Sequence, residues 1–106
     1  MSNGYSIAIS TFADKESAKN TARMLVESRI AACVQILPIE SVYMWNGEIC
    51  GDSEVLMLIK SRTEAFDNIV SAIKKTHAYE IPEIIQVPIT AGLPEYLSWI
   101  DEKIKF

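Results

Sequence analysis

Apolar and polar residues alternate at the start of the chain and then change to a helical period. Through residues 5–12, larger apolar side chains alternate with smaller ones, and this period of two predicts a strand with one better-buried face. Asp14 is a suitable helix N-cap. Apolar residues at helical spacing follow it: Ala18, Ala22, Leu25 and Val26. A helix is therefore predicted from Asp14 to about residue 28.

Two β-rich segments in the middle of the chain flank an Asn-Gly pair. Residues 31–43 precede the pair, and residues 54–60 follow it with five consecutive apolar residues, which is typical of a central strand covered on both faces. Asn-Gly at positions 46 and 47 is a strong signal for a two-residue hairpin turn. Such a turn pairs Tyr43 with Cys50 across the hairpin.

The second half of the chain contains another helix and strand. Residues 61–64 are predicted to begin a helix, because apolar residues recur after them at helical spacing: Phe66, Ile69, Val70 and Ile73. Residues 77–81 form a connection, and residues 82–89 are predicted to be a strand that starts at a proline. Pro94 suits the first turn of a short last helix.

The predicted order is strand, helix, strand, strand, helix, strand and a C-terminal helix. Two split βαβ units in this order are typical of a ferredoxin-like α+β sandwich, in which helices cover one face of an antiparallel four-stranded sheet. No linker, charge block or internal repeat divides the chain, so residues 1–106 are interpreted as one domain.

The central hairpin is too long for a compact domain of this size. Extended to Ala32 and Ser61, each arm has about 14 residues and spans ~46 Å, whereas a compact chain of this length has a diameter of roughly 33 Å. The overhanging tip favours burial against other copies of the chain. The residues predicted to make that contact are Tyr43, Met44, Trp45 and Ile49. The alternative is a hairpin that bends back over its own sheet, with Pro38 breaking or bulging the first arm.

Composition and charge exclude several classes of protein. Apolar residues make up 49% and charged residues 23% of the 106 residues, as in ordinary globular proteins. The net charge of −4 argues against a nucleic-acid partner, and no apolar run approaches the ~18 residues needed for membrane insertion. The first residues contain no basic or apolar export signal, so a cytoplasmic location with reduced cysteines is expected.

The predicted hairpin register also bears on the two cysteines. Cys33 lies opposite Lys60, and Cys50 is about ten ladder positions nearer the turn, a separation of ~33 Å against the ~4.4–6.8 Å between Cα atoms in a disulfide. An intrachain disulfide is therefore not expected. From residue type, Cys33 is interpreted as a small core residue and Cys50 as the more accessible thiol.

His77 is the only histidine, and it lies on a loop with Glu80 and Glu83. Imidazole and carboxylate groups suit Zn²⁺ and Cu²⁺, so these residues are candidate metal ligands. Their spacing is not that of a helical His-Glu-x-x-His site, and a loop histidine that hydrogen-bonds a neighbour is the simpler interpretation from residue type alone. The chain has no G-x-S-x-G motif, phosphate-binding glycine loop or Cys-x-x-Cys pair, which argues against an enzyme.

Five segments in one order resemble motifs of the CutA divalent-cation-tolerance family. Residues 22–34, ARMLVESRIAACV, are similar to the family's A-x-x-L-V-E-x-x-L-A-A-C-V stretch, and residues 41–49, SVYMWNGEI, to its S-x-Y-x-W-x-G-x-I hairpin. The other three segments are EVLMLIKS at 54–61, HAYEIPEI at 77–84 and YLSWI at 96–100. The resemblance covers roughly residues 5–101.

This resemblance implies a ferredoxin-like fold related to the PII signalling proteins, assembled as a homotrimer through the hairpin arms. It also implies a role in tolerance of copper and other divalent cations, and the missing catalytic motifs make a non-enzymatic role the expected one. The expected ligands of a weakly bound Cu²⁺ or Zn²⁺ are His77, Glu80, Glu83 and Cys33, with no obligatory cofactor. The alternative is a PII-like trimeric module that binds a small molecule or a partner.

Two positions depart from the family pattern. His77 is followed by Ala78, where the family usually has proline. The first strand ends in Ser10 and Thr11, where some members place a cysteine. A thiol ligand is therefore absent at that strand end, which argues against tight binding of a soft metal ion.

Overall fold

The computed structural model describes residues 4–106, which form one sheet and three helices. The strands are β1 (Tyr5–Phe12), β2 (Cys33–Trp45), β3 (Glu48–Arg62) and β4 (Ile84–Pro88). The helices are α1 (Lys15–Glu27), α2 (Phe66–Lys74) and α3 (Pro94–Lys103). All neighbouring strands are antiparallel, in the order β2-β3-β1-β4. The predicted ferredoxin-like α+β fold with a C-terminal helix is confirmed.

Helix α1 begins and ends where its local sequence predicts. The Asp14 carboxylate accepts a hydrogen bond of 2.7 Å from the backbone N–H of Ser17, which satisfies one of the free N–H groups of the first turn. The helix ends at Glu27, and Arg29 follows with a φ of 61°. Such a left-handed residue is common after a helix because it redirects the chain.

The hairpin of β2 and β3 has the predicted turn and register. Asn46 and Gly47 have φ values of 51° and 79°, the left-handed pair that a type I′ turn requires. Tyr43 pairs with Cys50. Pro38 does not interrupt β2, because β2 is an edge strand and one of its sides has no ladder partner.

The hairpin does not bend back over its own sheet. The molecule measures 45 × 28 × 21 Å, and its longest dimension agrees with the expected overhang. At the tip Val42, Met44 and Ile49 are 77%, 64% and 76% exposed. The apolar tip is therefore uncovered in the single chain.

Two predicted boundaries are wrong because pairing with β1, which is distant in the sequence, sets the limits of β3 and β4. The predicted helix start at residues 61–64 overlaps β3, because Ser61 and Arg62 still pair with β1. A short 3₁₀ turn, Thr63–Ala65, separates β3 from α2. The predicted strand at 82–89 is shortened to Ile84–Pro88, where pairing with β1 begins and ends.

The core lies between the sheet and helices α1 and α2. Its fully buried large side chains are Leu25, Met57, Ile59, Ile69 and Ile73. On β1 the face toward this core carries Phe12 and small residues that include Ala8, while Ile7 and Ile9 are only half-buried on the other face. Helix α3 packs on one end of that other face, where its Ile100 contacts a cluster that includes Tyr5.

No helix within residues 4–106 is both long enough and apolar enough to span a membrane.

Candidate functional site

A cavity of about 750 Å³ lies between the hairpin and the loop that follows α2. Its strand residues other than Val42, among them Thr11, Tyr43 and Glu54, are on the sheet face opposite α1 and α2. Residues 78–83 of the loop form the other wall, with the exception of Pro82. The cavity therefore occupies the end of the open sheet face that α3 does not cover.

Aromatic rings and carboxylates dominate the lining of this cavity. The aromatic residues are Tyr43, Trp45 and Tyr79, and the carboxylates are Asp52, Glu54, Glu80 and Glu83. Positions 43 and 45 on β2 and 52 and 54 on β3 share a face because the side chains of a strand alternate. The register of the Asn-Gly turn thus brings these four side chains together.

The loop is held against the strands through the ring of His77. Its Nε2 donates to the backbone oxygen of Thr11 at 2.7 Å, and its Nδ1 accepts from the backbone N–H of Tyr79 at 3.0 Å. The ring lies between Phe12 and Tyr79, with centroid distances of 4.6 and 4.8 Å. Both ring nitrogens therefore bond to backbone groups, as in the simpler of the two interpretations of this histidine.

Two tyrosine hydroxyls donate to carboxylates of β3. Tyr79 donates to Glu54 at 2.7 Å, and Tyr43 donates to Asp52. Partial burial, followed by the bond to Glu54, raises the pKa of Tyr79 well above its usual range. The bond to Asp52 raises the pKa of Tyr43 to about 12. Both phenols keep their protons at neutral pH and orient the carboxylates that accept from them.

The structure brings together some of the predicted metal ligands. Glu80 and Glu83 line the cavity, and His77 lies at the start of the same loop. Cys33 lies apart from this loop. It is four positions, or roughly 13 Å, along β2 from Leu37, the residue of β2 that is level with Thr11 across the sheet. Among residues 4–106 no three histidine, cysteine, aspartate or glutamate side chains are grouped closely enough to hold a metal ion.

The hairpin residues predicted to contact other copies lie on two different faces. Tyr43 and Trp45 line the cavity. Met44 and Ile49 pair with each other on the opposite face. Alternation along β2 and β3 predicts this division, whereas hydrophobicity alone puts the four residues in one group.

Sequence reasoning did not single out Thr11, Asp52 or Glu54 as site residues. The signal for the two acidic residues is present in the hairpin register, which puts Asp52 opposite Ser41 and on the face of Tyr43. Thr11 has no comparable local signal, because it reaches the site through the pairing of β1 with β3.

Comparison with known proteins gives a consistent result along the chain. The model of the family described as "CutA1 divalent ion tolerance protein" matches residues 6–103. The divalent-cation tolerance protein CutA of Thermus thermophilus is 42% identical over 97 residues, which are 91% of this chain and 94% of that protein. The chain spans about half of some longer relatives: it is 41% identical over 91 residues to the chloroplastic Protein CutA of Arabidopsis thaliana, covering 50% of that protein.

A solved structure shows the same fold. The protein described as the periplasmic divalent cation tolerance protein CutA from Archaeoglobus fulgidus superposes with a TM-score of 0.93 at 38% identity, over 95% of this chain and 99% of that one. The family match, the sequence identity and the superposition all extend over nearly the whole chain. The chain belongs to the CutA1 divalent ion tolerance protein family.

Proposed function

We propose that this protein is a non-enzymatic homotrimer that serves in divalent-cation tolerance and binds Cu²⁺ or Zn²⁺ weakly in the cytoplasm. The observation that carries the role is the family match over residues 6–103. Two unpaired cysteines agree with a reducing compartment, although the relative from Archaeoglobus fulgidus is described as periplasmic. Other members are named as tolerance proteins, which fits a protein without catalytic activity.

The hydrogen bonds of His77 support the absence of catalysis. It is the only histidine of the chain. Its two ring nitrogens bond to backbone groups of Thr11 and Tyr79, so neither is free to take a proton from a substrate. An acid–base reaction would need a group that the single imidazole does not supply.

The same bonds explain why metal binding is expected to be weak. A cation at the loop would take Nδ1 of His77 with Glu80 or Glu83, which is fewer than the four ligands of a closed zinc site. It must also displace the N–H of Tyr79 from Nδ1. We therefore place the affinity at micromolar or weaker, and we leave Cys33 out of this ligand set because of its distance.

The assembly is supported by the exposed tip of the hairpin. Met44 and Ile49 lie side by side and are 64% and 76% exposed. Large adjacent apolar groups in water favour a partner surface. A second copy of the chain presents an apolar surface of the same composition. In an assembly with closed symmetry, the tip of every copy is covered in the same way.

Calorimetric titration with Cu²⁺ tests the metal site. The wild-type chain should bind one ion per chain at most, and His77→Ala should abolish that binding while the assembly stays intact. Cys50→Ser is the matched control and should bind as the wild type does. If His77→Ala binds normally and Cys50→Ser does not, the site is the thiol on the hairpin.

The cavity favours a second candidate function, a trimeric module that binds a small molecule. Its volume of about 750 Å³ is within the usual range for small-ligand sites. Screening of small organic molecules by calorimetry would test this function independently of the metal titration.

A further inference from the structure

His77 is held in the orientation of a metal-ligating histidine. Its Nε2 donates to the backbone oxygen of Thr11 at 2.7 Å, and histidines that ligate metals usually donate their other ring N–H to such an oxygen. The backbone N–H of Tyr79 donates to Nδ1, so Nδ1 carries no proton and has the free lone pair of the ring. The nitrogen available to a cation is therefore Nδ1.

Tyr79 covers this nitrogen in two ways. Its backbone N–H lies 3.0 Å from Nδ1, and its ring lies against the imidazole with a centroid distance of 4.8 Å. A cation at Nδ1 takes the same lone pair, so it binds only after the N–H of Tyr79 has left. The structure therefore shows the candidate ligand in a covered state.

The segment that carries Tyr79 is attached by few contacts. In the described part of the chain, no backbone–backbone hydrogen bond joins residues 78–82 to another segment. Side-chain hydrogen bonds hold the segment at two points, through the N–H of Tyr79 on His77 and the Tyr79 hydroxyl on Glu54 at 2.7 Å. Ile81 is 78% exposed. Segments with so few hydrogen bonds and buried apolar groups open at a low free energy.

The closed segment also leaves the candidate ligands ungrouped. No three histidine, cysteine, aspartate or glutamate side chains of residues 4–106 are close enough together to hold a metal ion. Glu80 directly follows Tyr79 in the sequence, so a movement of Tyr79 also moves this carboxylate. Opening of the segment thus uncovers the imidazole and displaces a second candidate ligand.

We propose that residues 78–82 form a latch that closes over His77 and that a bound divalent cation holds open. In the open state the cation replaces the N–H of Tyr79 at Nδ1, and the hydroxyl of Tyr79 separates from Glu54. The apparent affinity for the cation is lowered by the small fraction of chains in which the latch is open. This inference names the regulation of the proposed metal site and rests on that proposed function.

The latch is independent of the hairpin tip. Its hydrogen bonds join the loop to the end of β1 and to the middle of β3. They involve none of the four residues predicted at the contact between copies: Tyr43, Met44, Trp45 and Ile49. The latch therefore does not require that face of the hairpin to be free in the assembly.

Two phenylalanine variants of the full-length chain test the latch by calorimetric titration with Zn²⁺. Tyr79→Phe removes the hydroxyl that bonds to Glu54 and keeps the ring and the backbone N–H. It should raise the affinity at least about threefold, because the closed latch loses a hydrogen bond to a carboxylate. Tyr5→Phe removes an equivalent bond, to Asp101 at the other end of the sheet, and should change the affinity by less than about twofold.

A double variant separates a weaker latch from a new ligand. A gain of affinity in Tyr79→Phe has a second explanation, ligation of the ion by the carboxylate of Glu54 after its donor is lost. Glu54→Gln alone keeps an acceptor for the Tyr79 hydroxyl. The double variant Tyr79→Phe and Glu54→Gln should therefore bind Zn²⁺ more tightly than Glu54→Gln alone. Equal affinity of these two variants would identify Glu54 as a ligand and contradict the latch.

Amide hydrogen exchange measured by NMR gives a readout of the latch itself. Zn²⁺ should speed up the exchange of the Tyr79 N–H in the wild type, because the ion takes the acceptor of that group. A loop that stays closed around the ion would instead exchange more slowly. An exchange rate of Tyr79 that falls or stays constant when Zn²⁺ binds would overturn the proposal.

The His77→Ala variant separates failure of the latch from failure of the metal site. If Zn²⁺ binding is lost in His77→Ala but is equal in Tyr79→Phe and the wild type, the latch is wrong and the metal site remains. If neither the wild type nor Tyr79→Phe binds Zn²⁺, the metal site and the latch are both wrong.

Discussion

Asp101 on α3 is the residue at which three elements meet. It accepts a hydrogen bond from the hydroxyl of Tyr5 on β1 and one of 2.6 Å from Arg62 at the end of β3. Arg62 also lies over the ring of Tyr5, 4.6 Å from its centroid. The bond from Tyr5, and then the guanidinium of Arg62, hold the pKa of Asp101 below its ordinary value. This carboxylate therefore contributes to the attachment of α3 only while it is ionised.

Asp101→Asn is expected to lower the free energy of unfolding by about 0.5–1 kcal/mol at neutral pH, a small value because the side chain is 46% exposed. A lowered folded-state pKa adds stability above the unfolded value of about 3.9 and loses it as the pH falls through the lower folded value. The urea midpoints of the wild type and the variant should thus converge at acid pH. A difference that persists unchanged at acid pH would contradict the account.

At the scale of elements, the connection after α1 holds the end of α3. Arg29 donates from Nε to the backbone oxygen of Lys103 at 3.0 Å and from a second nitrogen to that of Glu102. The N–H of Lys105 donates in return to the oxygen of Arg29 at 2.9 Å. These bonds satisfy carbonyls that the end of a helix leaves without partners. A loop and a helix distant in sequence therefore stabilise each other.

The turn of the hairpin depends on the positive φ of Gly47 and not on packing around that residue. An added Cβ at Gly47 would meet no atom within 4 Å, yet its φ of 79° is one that L side chains rarely adopt. Gly47→Ala should therefore cost about 1 kcal/mol, measured as a lower midpoint of thermal unfolding. Gly51→Ala is the control, because that glycine has ordinary φ and room for a methyl group. Equal loss in both variants would show that packing, and not the left-handed φ, determines the effect.

At the scale of the whole molecule, the uncovered hairpin tip governs the expected assembly. The wild type should scatter light as three times the 11.9 kDa of one chain. The double variant Met44→Lys and Ile49→Lys should dissociate, because it puts charge on the face proposed to contact other copies. Val26→Lys is the control, since Val26 is 42% exposed on α1 and lies beside Val34 and Ile36 at the base of the hairpin, away from its tip. A wild-type mass of one chain would contradict the trimer.

Association should also make stability depend on concentration. The unfolding midpoint of the wild type is expected to rise with protomer concentration, because an obligate assembly couples folding to binding. The charged double variant should lack this dependence. A wild-type midpoint that stays constant over a hundredfold dilution would contradict the coupling.

The sequence by itself determined the features that depend on neighbouring residues. The cap at Asp14 and the turn at Asn46 and Gly47 follow from side chains and φ preferences within a few positions. This turn sets the register of the whole hairpin of β2 and β3, so that Cys33 lies opposite Lys60 as predicted. The motifs that resemble one family also extend along the chain, and the family assignment is confirmed.

Only the tertiary structure decided the features that join distant segments. β3 continues to Arg62 and β4 begins at Ile84 because β1 pairs with both, and no local signal marks these limits. His77 bonds to Thr11, which is 66 positions away in the sequence. The cavity likewise combines a strand end, a hairpin face and a loop. Long-range strand pairing and packing determine these contacts, because the sequence of one segment does not specify which distant backbone and side-chain groups it will bind.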